Sequence, residues 1–307
     1  MSLETDLLLD RRRLKRRLVV WRSFAVLAAL VAVLVALRGE SPQFGRSRLA
    51  RLTVSGLISD DRKLNEAVTK LADNDSVKAL IVAINSPGGS VAGGEGLHDA
   101  IAHVARKKPV VVVMGGLAAS AGYMIAVPAA RIFAREATLT GSIGVLLETG
   151  EVSGLLKSLG VNAEAITSGP LKDQPNFTKP LSQQGRDVLQ GLVMDMYEQF
   201  VGMVASGRHM DAAQVRELAD GRAYTGRQAL KLGLVDAIGG EQDARLWLAQ
   251  NKGVSADLPV EDVSTSGFAS RALSGSLGWM FDELWKSLFS QGVILDGTRL
   301  VWQRFGG

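Results

Sequence analysis

Ser120 is the side chain with the most chemistry within reach. It stands in the run Met114-Gly-Gly-Leu-Ala-Ala-Ser-Ala-Gly-Tyr123, directly after the apolar stretch Pro109 to Val113. A short β-rich run feeding a turn of small residues that opens a helix is the geometry that exposes a hydroxyl nucleophile. Gly115, Gly116 and Gly122 permit sharp bends and close approach of a substrate backbone. On its own the run also reads as a glycine-rich turn carrying an incidental serine.

A second turn lies upstream. The apolar run Ala79-Leu-Ile-Val-Ala-Ile84 leads straight into Asn85-Ser-Pro-Gly-Gly-Ser90. A continuous apolar run closed by a turn signal predicts a strand buried on both faces. Pro87 and the Gly88-Gly89 pair then turn the chain into a helix reaching about Ala105. Two adjacent amides beside a helix start, those of Gly88 and Gly89, can donate to an oxyanion. A plain strand-to-helix turn has the same pattern.

A serine hydroxyl needs a partner to take its proton. The chain has three histidines, His98, His103 and His209. His98 and His103 are five residues apart on one helix, which puts them on different faces and makes them a poor metal pair. Surface or helix-packing roles suit them better than that of a base. Lysine is the other route, because burial favours the neutral amine. Lys172 sits in Ser168-Gly-Pro-Leu-Lys-Asp-Gln174, followed by Pro175, and Lys179 lies close by. Solvated loop lysine is the usual fate of such a residue.

The order strand, Asn-Ser-Pro-Gly-Gly turn, helix, strand, Ala-Ser-Ala-Gly turn, helix resembles the Clp protease and crotonase superfold. Within it, the chain resembles the signal peptide peptidase A family of membrane-bound serine proteases. Ala137-Thr-Leu-Thr-Gly-Ser-Ile-Gly-Val145, Ala219-Asp-Gly-Arg-Ala-Tyr-Thr-Gly-Arg-Gln-Ala229 and Leu232-Gly-Leu-Val-Asp-Ala-Ile-Gly239 carry the likeness further. It spans about Arg51 to Asn251. The resemblance implies an α/β fold of repeated ββα units with a mostly parallel sheet. It implies Ser120 as nucleophile and Lys172, in preference to Lys179, as general base. Backbone amides at Gly88, Gly89 and Ala121 would form the oxyanion hole. It further implies a homo-oligomer in which one subunit's serine meets its neighbour's lysine. Asp173 must then point away from Lys172, since a facing carboxylate would hold the amine charged.

At 307 residues the chain has room for one large or two small domains, and its 34 glycines suit an α/β protein with many tight turns. The absence of cysteine excludes a disulfide framework, a cysteine-ligated zinc site and a cysteine nucleophile. No metal or organic cofactor is indicated. The net charge of +4 is uneven, with six cations in the seven residues Arg11 to Arg17. No basic face is interleaved with aromatics, so nucleic-acid binding lacks support.

After that basic stretch, Ser23 to Leu37 carries no charge. Extended back to Leu18 it reaches the length of a bilayer span, with Arg22 able to snorkel. Arg38 follows directly, with no small-residue cleavage site of the kind a signal peptide carries. The expected organisation is a basic cytoplasmic segment 1–17, a single-pass anchor 18–38, a linker 39–50, a protease domain 51–262, and a linker with an amphipathic tail 263–307. Basic residues stay inside, which places the catalytic domain in the periplasm or outside the cell, at the cytoplasmic membrane. Hydrophobic peptides left in that membrane, cleaved signal peptides among them, are the expected substrates.

Strands are expected at Leu52–Ile58, Ile132–Ala134, Ile143–Leu147 and Val161–Ile166, with helices at Asp60–Ala72 and Leu181–Ser206. Phe281, Leu284, Trp285, Leu288 and Phe289 recur at helical spacing and give the tail an apolar face suited to a membrane or an oligomer contact. Three rival functions share the fold. A crotonase-type acyl-CoA enzyme would use a carboxylate base, for which Glu95 and Glu136 are available. A stomatin-type membrane-protein-specific protease would share the dyad, and a non-catalytic oligomeric scaffold would need none of these residues.

Overall fold

The computed structural model describes residues 21–24, 26–28 and 47–264. Strand and helix alternate through β1 (Arg48–Ile58), α1 (Arg62–Thr69), β2 (Val77–Gly89), α2 (Val91–Ala105), β3 (Val110–Ala119) and α3 (Ala121–Met124). The strands β4 (Arg131–Ala134) and β5 (Leu139–Gly141) precede the short helix α4 (Ser153–Ser158) and the long helix α5 (Gln183–Arg208). The chain then runs through α6 (Ala212–Leu218), β6 (Ala223–Thr225), α7 (Gly226–Lys231), β7 (Ala237–Ile238), α8 (Glu241–Lys252) and β8 (Val260–Asp262).

The strands form one sheet in the order β6-β5-β3-β2-β1-β8, with β4 against β3 and β7 against β4. Every pairing is parallel except that of β5 with β6. The apolar run in β2 is buried on both faces, as a strand under two helical layers must be. Leu80, Val82 and Ile84 pack in a cluster with Leu97, Ile101 and Val104 of α2. Ala79 and Ile81 turn the other way, into a cluster with Ala244 and Leu248 of α8.

The elements depart from the sequence pattern where pairing partners override local signals. β2 does not stop at Ile84 but continues through Asn85–Gly89, because β1 stays paired with it as far as Ile58 and Gly89. β3 likewise runs through Gly115 and Gly116 to Ala119, held by β5. The linker boundary moves too: Arg48–Ala50 belong to β1, with Leu49 and Ala50 buried. Ile143–Leu147 and Val161–Ile166 form no strand, since no described strand pairs with them. The helix expected at Asp60–Ala72 is α1 followed by a 3-10 turn, Lys70–Asp73.

Most of the expected anchor and all of the aromatic tail lie outside the described residues. Residues 21–24 and 26–28 are helical. Among the described residues no helix is long and apolar enough to cross a membrane.

Candidate active site

Ser120 caps the N-terminus of α3 at φ 55° and ψ −123°. A non-glycine residue held there stores roughly 1–3 kcal/mol of backbone strain, so the surroundings must enforce it. They do so from three sides. The Ser120 N–H donates to the Gly141 carbonyl at 2.9 Å, and the Tyr123 and Met124 amides donate back to the Ser120 carbonyl at 2.8 and 2.9 Å. Gly88, at φ 110°, leaves so little room that a Cβ there would stand 2.9 Å from Ser120 Cβ. The half-buried Ser120 Oγ has no hydrogen-bond partner among the described residues.

The Asn85–Gly89 end of β2 therefore lies against the serine turn. Position N1 of a helix has no intrahelical acceptor for its amide, and the Ala121 N–H finds none elsewhere among the described residues. Gly88 is different. Its N–H donates to Ser86 Oγ at 3.0 Å and is already used. That bond engages the amide expected to serve an oxyanion hole, while the Gly88 backbone conformation and lack of a Cβ let the serine turn approach; Gly88, Gly89 and Ala121 stay the candidate donors.

Three fully buried polar side chains, Ser86, Thr138 and Thr140, brace the strands around the serine turn. Ser86 Oγ donates to the Gly56 carbonyl at 2.6 Å, tying the turn to β1. Thr140 Oγ1 donates to the Ala118 carbonyl at 2.8 Å, and Thr138 Oγ1 to the Gly115 carbonyl at 2.7 Å. The two threonines satisfy carbonyls of β3, the strand that leads into Ser120, where an unmade bond would cost about 1–3 kcal/mol. Ser142, next to Gly141, is a second non-glycine residue at positive φ, 48°. Sequence reasoning assigned no role to these four residues. The alternation Thr138-Leu-Thr140 before Gly141-Ser142 was the one local signal available.

Lys172 lies elsewhere. Its side chain is exposed and has neither a hydrogen bond nor an ion pair among the described residues, so it does not meet Ser120. Asp173 faces Asn176 and Lys179, with Lys179 Nζ 3.5 Å from Asp173 Oδ2. The lysine loop is fastened to the start of α5, where the Ser182 N–H donates to Gln174 Oε1 at 3.1 Å. The other end of α5 packs on the α3 side. Phe200, Val201 and Val204 are buried, and a Cβ on Gly207 would come within 2.4 Å of the Val127 carbonyl oxygen. At 1.5 Å per residue, Gly185 and Gly207 are on the order of 30 Å apart. One helix thus holds the lysine loop and the serine turn against opposite ends.

The remaining candidates are occupied or remote. His98 Nδ1 lies 3.0 Å from Asp99 Oδ1, and Glu136 is exposed, 3.8 Å from Arg227. Glu95 and His209 are exposed. Among the described residues no group of His, Asp and Glu is arranged to hold a metal.

The profile of peptidase family S49 matches residues 102–255. A protein named as a protease from Synechocystis sp. is 41% identical over 213 residues, covering 69% of this chain and 77% of that one. The chain belongs to peptidase family S49. A protein named as signal peptide peptidase SppA from Enterococcus faecium is 36% identical over 245 residues, or 75% of this S49 chain and 71% of the relative. The chloroplastic serine protease SPPA of Arabidopsis thaliana is 31% identical over 290 residues, covering 85% of this chain and 42% of that protein. This S49 protease is similar to signal peptide peptidase A in sequence, and its sheet is mixed α/β and mostly parallel.

Proposed function

We propose that this protein is a membrane-anchored serine endopeptidase that works through a Ser120–Lys172 dyad on a Clp/crotonase-like fold. The observation that carries this reading is the strained Ser120 at the start of α3, its hydroxyl and the Ala121 amide beside it both without a hydrogen-bond partner among the described residues. Lys172 Nζ takes the Ser120 proton as Oγ attacks a peptide carbonyl. The Gly89 and Ala121 amides hold the oxyanion, a contribution of about 2.7–4 kcal/mol per donor in comparable sites. Collapse breaks the C–N bond, and the lysine gives its proton to the leaving amine. Water, deprotonated by the same lysine, then releases the acyl group and restores Ser120.

An exposed lysine is a poor base until it is covered. The separation of the lysine loop from the serine turn along α5 supports a site in which Lys172 comes from a neighbouring copy. Exposed apolar side chains on the same strap, Leu155, Leu159 and Ile166 among them, supply a surface for that neighbour. Hydrophobic peptides, including cleaved signal peptides, are the substrates on this reading. The apolar run 18–38 would hold the enzyme beside them, with the catalytic domain facing the periplasm or the cell exterior.

The test is hydrolysis of an apolar fluorogenic peptide by the full chain from mildly acidic to alkaline pH. The wild-type rate should rise through a single ionisation to a plateau. Ser120→Ala and Lys172→Ala should each abolish turnover. Full activity in Lys172→Ala would remove the lysine and move the assignment to Lys179 or His98.

A further inference from the structure

Tyr123 shares the one-turn helix α3 with the nucleophile turn and is fully buried. A phenol in that setting needs a partner for its hydroxyl. Tyr123 Oη donates to the Leu234 carbonyl at 2.8 Å, across 111 residues of chain. Burial pushes this phenol well above the usual tyrosine range, so it remains a neutral donor at any working pH.

The acceptor belongs to an unusually well fixed segment. Arg208, at the end of α5, donates from Nε to the Gly233 carbonyl at 3.0 Å. Its Nη1 and Nη2 grip both Asp236 oxygens, at 3.0 and 2.6 Å. Asp236 Oδ2 also accepts the Ile132 amide of β4 at 2.7 Å, while the Asp236 N–H returns to the Ile132 carbonyl at 2.9 Å. Leu234 and Val235 are buried between these anchors. The Arg208–Asp236 pair is a two-point charge-assisted contact in a largely buried setting, stiffer than a surface ion pair. The segment 233–236 is thus clamped to both α5 and the sheet.

α3 itself is too short to hold its own geometry. It has four residues, and Ser120 gives it no side-chain cap. A strained residue persists only where its surroundings over-determine it. The Tyr123 hydroxyl is the polar side-chain bond that joins this helix to the rest of the molecule.

We infer that Tyr123 is a positioning residue for the nucleophile, its hydroxyl tying the Ser120 turn to the Leu234 carbonyl in the segment that Arg208 and Asp236 clamp. The inference rests on the reading of Ser120 as the attacking group. Tyr123→Phe keeps the ring and its packing and removes only the bond. A misplacement well under 1 Å at a nucleophile slows chemistry without weakening substrate binding, and a displacement near 1 Å costs roughly a hundredfold. The variant should therefore lose kcat by roughly tenfold, with KM and the pH profile unmoved.

The experiment compares the full chain with its Tyr123→Phe variant in two readouts. The first is the split of kcat and KM on an apolar fluorogenic peptide. The second is the rate at which a fluorophosphonate reagent labels Ser120, located by peptide mapping, in the fraction that remains folded. Slower labelling of folded Tyr123→Phe, in step with the fall in kcat, is the expected result. Wild-type labelling and kcat in Tyr123→Phe would overturn the inference, as would a change confined to thermal stability. Labelling that never falls on Ser120 even in the wild type would instead overturn the nucleophile assignment. Asp236→Asn loosens the clamp without touching α3 and should lower kcat in the same direction by a smaller factor. Wild-type kcat in that variant would place the effect outside the clamp.

Discussion

The serine half and the lysine half of the candidate site are built in opposite ways. Around Ser120 the backbone is strained, the polar side chains are buried and bonded, and every nearby turn is pinned by contacts from distant parts of the chain. Ser86, Thr140 and Tyr123 each reach across at least 22 residues to a backbone carbonyl. Around Lys172 the side-chain bonds are local, spanning eight residues or fewer, as in Ser182 to Gln174 and Lys179 to Asp173, with one longer backbone bond from the Val152 N–H to the Phe177 carbonyl. Apolar side chains there face outward, Ile166 at 98% exposure and Leu159 at 67%. A protein interior organises the first region. The second has the surface of a part that expects to be covered, because an apolar strap of this extent stabilises nothing while it faces water. On the proposed reading the nucleophile is finished within one chain and the base is supplied by another copy.

Substitutions can break or sharpen this contrast. The largest effects belong to Ser120→Ala and Lys172→Ala. Each should lower kcat/KM by roughly 10⁴-fold or more, and the two together should cost little beyond either alone, because the pair acts as a unit. Lys172→Ala should leave the thermal midpoint in place, since the side chain has no partner among the described residues. Next is Gly88→Ala, which forces a Cβ against Ser120 at a positive φ. It should destabilise the fold by about 1–3 kcal/mol in denaturant titration and abolish turnover. Leu159→Ser or Ile166→Ser should change the unfolding free energy of the single chain by no more than about 0.5 kcal/mol in denaturant titration. Both should nevertheless reduce oligomer mass in light scattering and lower activity. The smallest effect is that of Lys179→Ala, which removes a half-exposed ion pair with Asp173. Its kcat should stay within roughly threefold of wild type.

The same contrast explains what was legible in the sequence. The apolar runs at Ala79–Ile84 and Pro109–Val113 announced buried strands, because burial on both faces leaves an unbroken apolar run. The helix starts at Ser90 and Ser182 rest on local bonds, each serine hydroxyl oxygen accepting the Gly93 or Gly185 N–H. Asn85–Gly89 read as a turn, yet it is strand, since a neighbouring strand supplies the pairing and no local signal records it. Ile143–Leu147 fails in the opposite sense: its residues favour a strand, and no described strand pairs with it. Ser120 was visible from its small neighbours. Ser86 and Tyr123 were not, because their bonding partners lie 30 and 111 residues away. Lys172 was singled out by resemblance alone, and nothing in its own exposed loop distinguishes it from Lys179.

The sharing of the site between copies is tested most directly by complementation. Full-length Ser120→Ala and Lys172→Ala chains, each inactive alone, would be co-expressed in equal amounts, and the mixed oligomer assayed on an apolar fluorogenic peptide. If each site takes its serine from one copy and its lysine from the next, half of the serines and half of the lysines are intact. About a quarter of wild-type activity per site should then return. A mixed oligomer as inactive as its two parents would mean that both residues must come from one chain.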